Sequence, residues 1–92
     1  MTAEVQIPSL LRKATGGEKQ VKVEGETVKE VLDDLTGKYP ELKERILTAE
    51  GNIQPFVVLY VNNEDIRFLQ DLGTPVKSGD VISILPAVAG GR

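Results

Sequence analysis

No cysteine and no histidine occur among the 92 residues. That removes the thiol nucleophile, the imidazole general base and the usual transition-metal ligands together. Carboxylates alone could hold Ca²⁺ or Mg²⁺, but Asn62-Asn63-Glu64-Asp65 lacks the spacing of a calcium loop and reads as a turn. A self-contained enzyme is not expected, and no metal site is expected. No apolar run approaches the ~20 residues of a membrane span. The net charge is −3, without the basic stripe that nucleic-acid binding needs. Met1 to Pro8 shows no basic segment followed by an apolar one, so no secretory leader is expected and the cytoplasm is the expected compartment.

What remains is enough for one domain with one modest core, and a distinctive end. The chain finishes Leu85-Pro86-Ala87-Val88-Ala89-Gly90-Gly91-Arg92. Without Cβ atoms, a Gly-Gly pair gives a flexible tail that can enter a narrow slot. A glycine carboxylate is also sterically open to an activating enzyme. Two adjacent glycines at one fixed place arise by chance in roughly 0.5% of chains. The plain alternative is a floppy terminus or an expression scar.

Hydrophobic periodicity gives the order of elements. Val5 and Ile7 alternate with Glu4 and Gln6 in a first strand ending near Pro8, and Val21 and Val23 alternate with polar neighbours in a second. Ala14-Thr15-Gly16-Gly17-Glu18 reads as the loop of a long hairpin, flanked by Arg12 and Lys13, which read as solvated charges or contacts to an acidic partner. Gly25-Glu26 is a turn. Thr27-Val28-Lys29-Glu30 fits a capping box, and Val28, Val31, Leu32 and Leu35 share one helical face. Gly37 is the expected stop. Glu41 to Leu47 suggests a short second helix carrying Leu42, Ile46 and Leu47, and Glu50-Gly51-Asn52 a loop.

Phe56 to Val61 reads as a strand covered on both faces. Asn62-Asn63 turns the chain, and Asp65-Ile66-Arg67-Phe68 is expected to pair back briefly. Leu72 and Val76 plug the core. Lys77-Ser78-Gly79-Asp80 is a tight turn before a last strand, Val81 to Leu85, which Pro86 ends. Two hairpin strands, a crossover helix and two further strands define an α+β fold of the β-grasp, ubiquitin-like type. It has a mixed sheet of four to five strands with one main helix on one face. First and last strands become parallel neighbours. The predicted core is Val5, Ile7, Val21, Val23, Val28, Val31, Leu32, Leu35, Ile82 and Ile84, plus one parity of the Phe56–Val61 run. The expected organisation is a folded domain over 1–86 and a flexible tail over 87–92.

Val57-Val58-Leu59-Tyr60-Val61-Asn62-Asn63-Glu64-Asp65-Ile66-Arg67, Ser78-Gly79-Asp80-Val81 and Ile84 to Gly91 carry a resemblance to the bacterial ubiquitin-like sulfur carriers, nearly along the whole chain. That family, the ThiS/MoaD-like carriers, serves molybdopterin, thiamine and cysteine pathways, and the chain looks most like its cysteine-biosynthesis branch. The resemblance implies that an E1-like adenylyltransferase/sulfurtransferase uses ATP to adenylate Gly91, which then becomes a thiocarboxylate. Pro86, Ala87, Val88, Ala89 and Gly90 would thread the partner's channel. It also implies a pyridoxal-phosphate-dependent cysteine synthase that delivers the sulfur to an activated serine derivative, and a zinc metalloprotease that removes Arg92 or the new cysteine from the tail. ATP, pyridoxal phosphate and zinc would all belong to partners, with none bound by this chain.

Arg92 departs from the pattern, because a blocked Gly91 carboxylate cannot be adenylated. It reads first as a precursor residue that a protease removes. The other readings are a cloning remnant or a relative that carries no sulfur. Two further functions stay open, a modifier conjugated through Gly91 and a plain β-grasp interaction domain; a free monomer is expected in each case. For a partner surface, Val58, Tyr60, Val81 and Leu85 are candidates if their parity points outward, and Phe68 joins them. A core position is the preferred reading for Val58.

Overall fold

The computed structural model describes residues 2–86. Strand β1 (Thr2–Gln6) runs antiparallel to β2 (Gln20–Glu24), with Val5 opposite Val21 and Ala3 opposite Val23. Helix α1 (Val28–Lys38) crosses one face of the sheet and α2 (Glu41–Ile46) follows it. Strand β3 (Val57–Val61), the two-residue β4 (Glu64–Asp65) and β5 (Val81–Pro86) complete a mixed sheet in the order β2-β1-β5-β3-β4. β5 lies in the middle, parallel to β1 and antiparallel to β3. This is the expected β-grasp arrangement, with the parallel pairing of first and last strands.

Every residue of the predicted core is buried, and Leu59 and Val61 supply the inward parity of β3. Ala3, Leu11, Leu42, Ile46, Leu47, Ile66 and Val76 join them. Leu72 is only partly buried, packed against this core.

Helix α1 starts as the sequence requires. The Thr27 hydroxyl accepts the Glu30 N–H at 3.2 Å, satisfying one of the amides that a first turn leaves without a partner. The Glu30 carboxylate reaches back one residue further than a capping box prescribes, accepting the Glu26 N–H at 2.9 Å. The stop differs from expectation. Gly37 lies inside the helix, which continues to Lys38. Pro40 is the real terminator: it disfavours the helical region for the residue before it, and Tyr39 turns extended at φ −131°.

Four other expectations are corrected. The link between β1 and β2 is not all loop, because Ser9–Thr15 forms a 3-10 helix that sends Leu11 and Thr15 into the core. Gly16, at φ 67°, ends it in the left-handed region. Phe56 falls outside β3 and is 56% exposed, and β3 is covered on one face only. Only Glu64–Asp65 pairs back to β3; Ile66–Phe68 coils into a 3-10 turn because the Asp65 carboxylate caps it, accepting the Arg67 N–H at 2.9 Å. Pro86 does not stop β5 short of itself, but lies within the strand, paired with Val57, and is the last described residue.

Candidate functional site

The site is the place where β5 delivers the chain to its last residues. Strand alternation sends Ile82 and Ile84 into the core, which leaves Val81, Ser83 and Leu85 on the face opposite α1. On β3 the buried pair is Leu59 and Val61, so Val58 and Tyr60 share that outer face. The register sets Leu85 against Val58 and Ser83 against Tyr60. Val58 is therefore not core, as preferred from sequence, but a partly exposed member of an outer apolar cluster with Tyr60 and Leu85, the last 45% exposed. An inward Val58 would have turned Leu59 to solvent, because a strand cannot bury both parities against a single helix layer.

Phe68 is 85% exposed in the 3-10 turn that follows β4 and lines neither groove at Leu85. Val81 is partly exposed at the opposite end of β5 from the exit. Pro86 is the last described residue. Ala87, Val88, Ala89, Gly90, Gly91 and Arg92, to which the sequence assigns tail and chemistry, lie outside the described residues.

Two features of this end escaped the sequence reading. Leu10 (62% exposed) and Phe56 line a groove of about 480 Å³ with Leu85, on the α2 side of the exit. A second groove, of about 540 Å³, opens on the outer sheet face and brings Arg12 and Lys19 to Tyr60 and Leu85. Long-range strand order decides both, so no local signal marks them.

The perturbed carboxylates all serve structure. Asp65 is held below the ordinary carboxylate range, chiefly by the Arg67 guanidinium, which donates to it at 2.7 Å, and by the Arg67 backbone N–H. That same pairing raises Arg67. Asp80 is lowered by the Lys77 N–H and by Asn62, and Asp34 by the Glu24 N–H of edge strand β2. Asp65 and Arg67 lie beside Tyr60, across the β3–β4 pairing, and none of these groups lines the grooves at Leu85. Among the described residues no cluster of three acids is placed to hold a metal, and no helix is long and apolar enough to cross a membrane.

A small mixed sheet with one main helix across one face, whose central strand β5 is the last described element, defines a β-grasp, ubiquitin-like protein. The ThiS family model matches residues 5–91, and the chain belongs to that family. It is 44% identical to the sulfur carrier protein CysO of Mycobacterium tuberculosis, over 99% of this chain and 100% of that protein. The CysO-like chain in the crystal structure of the Amycolatopsis orientalis BexX/CysO complex superposes with a TM-score of 0.88 at 46% identity, covering 97% of this chain and 99% of that one. The small archaeal modifier protein 1 of Methanosarcina acetivorans superposes at 0.86 with 34% identity, over 98% and 96% of the two chains. These relatives are small carriers and modifiers, and the chain is of that kind rather than an enzyme.

Proposed function

We propose that the chain is a sulfur carrier whose working group is the Gly91 carboxyl, within an organisation of a folded domain over 1–86 and a tail over 87–92. The observation that carries this is the family match, which runs to Gly91 and leaves Arg92 outside it. Hydrolysis of the Gly91–Arg92 amide first frees the carboxylate. An E1-like partner then joins that carboxylate to the α-phosphate of ATP, releasing pyrophosphate. A sulfide donor attacks the acyl carbon, the acyl–oxygen bond to AMP breaks, and a thiocarboxylate remains. The high identity to CysO favours cysteine formation as the outlet. A pyridoxal-phosphate enzyme would consume the sulfur there, and a zinc metalloprotease would remove Arg92 or the new cysteine. Those groups, with ATP, reside on the partners. The cytoplasm is the proposed compartment.

This chain's own part is to fold without participating. β5 is held by β1 over Val81–Ser83 and by β3 as far as Pro86, so the tail starts from a paired strand. Val88 and the small residues around it can then enter a narrow channel.

The likeness to the archaeal modifier supports a second reading, isopeptide transfer of Gly91 to lysines. One experiment separates the two. Protein ending at Gly91 is incubated with the adenylating enzyme of its own cell, ATP and a sulfide source, and intact mass is recorded. An oxygen-for-sulfur exchange at the terminus supports the carrier. High-mass lysine adducts in the cell, without that exchange, support the modifier. Absence of any charging refutes both. Protein retaining Arg92 is expected to stay unmodified until a protease trims it.

A further inference from the structure

The outer sheet face carries a row of polar side chains. Gln20 sits beside Gln6, Gln6 beside Ser83 and Ser83 beside Tyr60, so four adjacent strands place four hydrogen-bonding side chains in one line across the sheet. Arg12 and Lys19 line the same groove, which holds about 540 Å³. Arg12 is fixed there, because its Nε donates to the Ile7 carbonyl at 3.1 Å. Among the described residues its terminal guanidinium nitrogens have no partner, and neither Arg12 nor Lys19 enters an ion pair. No carboxylate is among the described residues lining the groove, although the chain has 14 acids against 11 bases. The next row toward the exit is apolar, formed by Leu85 and Val58.

We propose that this row is a docking slot for an acidic protein surface, in which one or two carboxylates meet Arg12 and Lys19 beside an apolar side chain that covers Leu85 and Val58. The occupant is the protein that receives the tail, so the assignment rests on the carrier reading above. Two observations select a protein over a free anion or a nucleic acid. Leu85 and Val58 offer contact area that a phosphate cannot cover. The net charge of −3 disfavours an extended polyanion, which would have to run past the acidic remainder of the surface. A fixed guanidinium whose terminal nitrogens have no partner among the described residues is also suited to a bidentate carboxylate contact. Such rim charges act mainly on encounter and orientation, and the contact should therefore weaken with salt.

Nuclear magnetic resonance on the intact protein tests the slot with defined probes: a blocked Leu-Glu-Asp-Leu peptide, its Leu-Gln-Asn-Leu counterpart, and inorganic phosphate. The acidic peptide should shift Gln6, Ser83, Leu85 and the Arg12 side-chain N–H, and high salt should abolish the effect. The combined Arg12→Gln, Lys19→Gln variant, with unfolding temperature recorded to show that it folds, should bind at least tenfold more weakly. Equal shifts from the neutral peptide, equal shifts from phosphate alone, or an unaffected double variant would overturn the slot.

The enzymatic arm uses the adenylating enzyme of the proposed function and protein ending at Gly91. The double variant should need at least tenfold more carrier for half-maximal charging. Normal charging of the double variant overturns the slot and leaves the carrier reading intact. Failure to charge the parent protein, with the peptide still bound, overturns the carrier reading and leaves the slot standing.

Discussion

Asn62 is expected to be among the most expensive polar residues to replace in this domain, although it is exposed. It occupies the left-handed region at φ 50°, the first of two such residues in the β3–β4 turn, with Asn63 at 75°. Its side chain does two further things. Oδ1 accepts the Val81 N–H at 3.0 Å, and Nδ2 donates to Asp80 Oδ1 at 2.9 Å. Asp80 in turn uses Oδ2 to accept the Lys77 N–H at 2.8 Å. One asparagine thus clamps the β3 turn to the turn that starts β5, and so sets the register that brings Leu85 and Pro86 to the exit.

The two contributions can be separated. Asn62→Gly keeps the left-handed backbone and removes both side-chain bonds. At about 1 kcal/mol for a neutral bond, and somewhat more for one to a carboxylate, the loss is about 2 kcal/mol. Asn62→Ala also forces an alanine into the left-handed region, adding roughly 1–2 kcal/mol. For a domain of this size each kcal/mol lowers the unfolding temperature by about 4–8 °C. The glycine variant should therefore melt roughly 8–16 °C lower, and the alanine variant lower still, by calorimetry or urea titration. Crossing Asn62→Gly with Asp80→Ala should leave a coupling of about 1 kcal/mol. If Asn62→Gly is as stable as the parent, the clamp carries no energy; if glycine and alanine melt together, the backbone contribution is wrong.

Gly25→Ala should destabilise by about 1–3 kcal/mol, because the new Cβ would lie 2.8 Å from the Val31 backbone nitrogen and 2.9 Å from Glu30 Cβ; an unchanged melting temperature would show that the α1 entry can shift freely. Leu32→Ala, at a residue 1% exposed, should cost about 2–5 kcal/mol, a large part of a stability of about 5–15 kcal/mol, whereas Leu32→Asp should leave no cooperative transition. Asp34, Asp65 and Asp80 are all lowered by hydrogen bonds in the fold, so their contribution is complete above the unfolded carboxylate value of about 3.9 and lost as pH falls through the folded values. Stability should stay level from neutrality to about pH 5 and drop below about pH 4; a fall beginning near pH 6 would contradict this, since the chain has no histidine to titrate there.

What the sequence disclosed and what it hid follow one physical division. Strands and helices whose partners lie on one side announce themselves by period, and so Val5, Val23, Val31, Leu32 and Ile82 were assignable to the core from spacing alone. Val58 was not, because a continuous apolar run has no period; only the pairing of Leu59 with Ile84 decides which parity faces α1. Gly37 misled for a related reason: a glycine weakens a helix locally, but α1 is held by Leu35 in the core and continues until Pro40 makes continuation sterically unfavourable. The Ser9–Thr15 coil was invisible because its cause is the burial of Leu11 and Thr15 against distant elements. The same division governs the site. Gly90 and Gly91 are singled out by sequence alone and lie outside the described residues, so their role belongs to the proposed function. The groove that joins Arg12 and Lys19 to Tyr60 and Leu85 needs four strands in the order β2-β1-β5-β3 before it exists. If the proposed function and the docking slot both hold, a carrier of this kind writes its chemistry in its last residues and its choice of partner in its topology. Tails alike in sequence can then be directed to different enzymes by substitutions at positions such as 12 and 19 that leave the tail untouched.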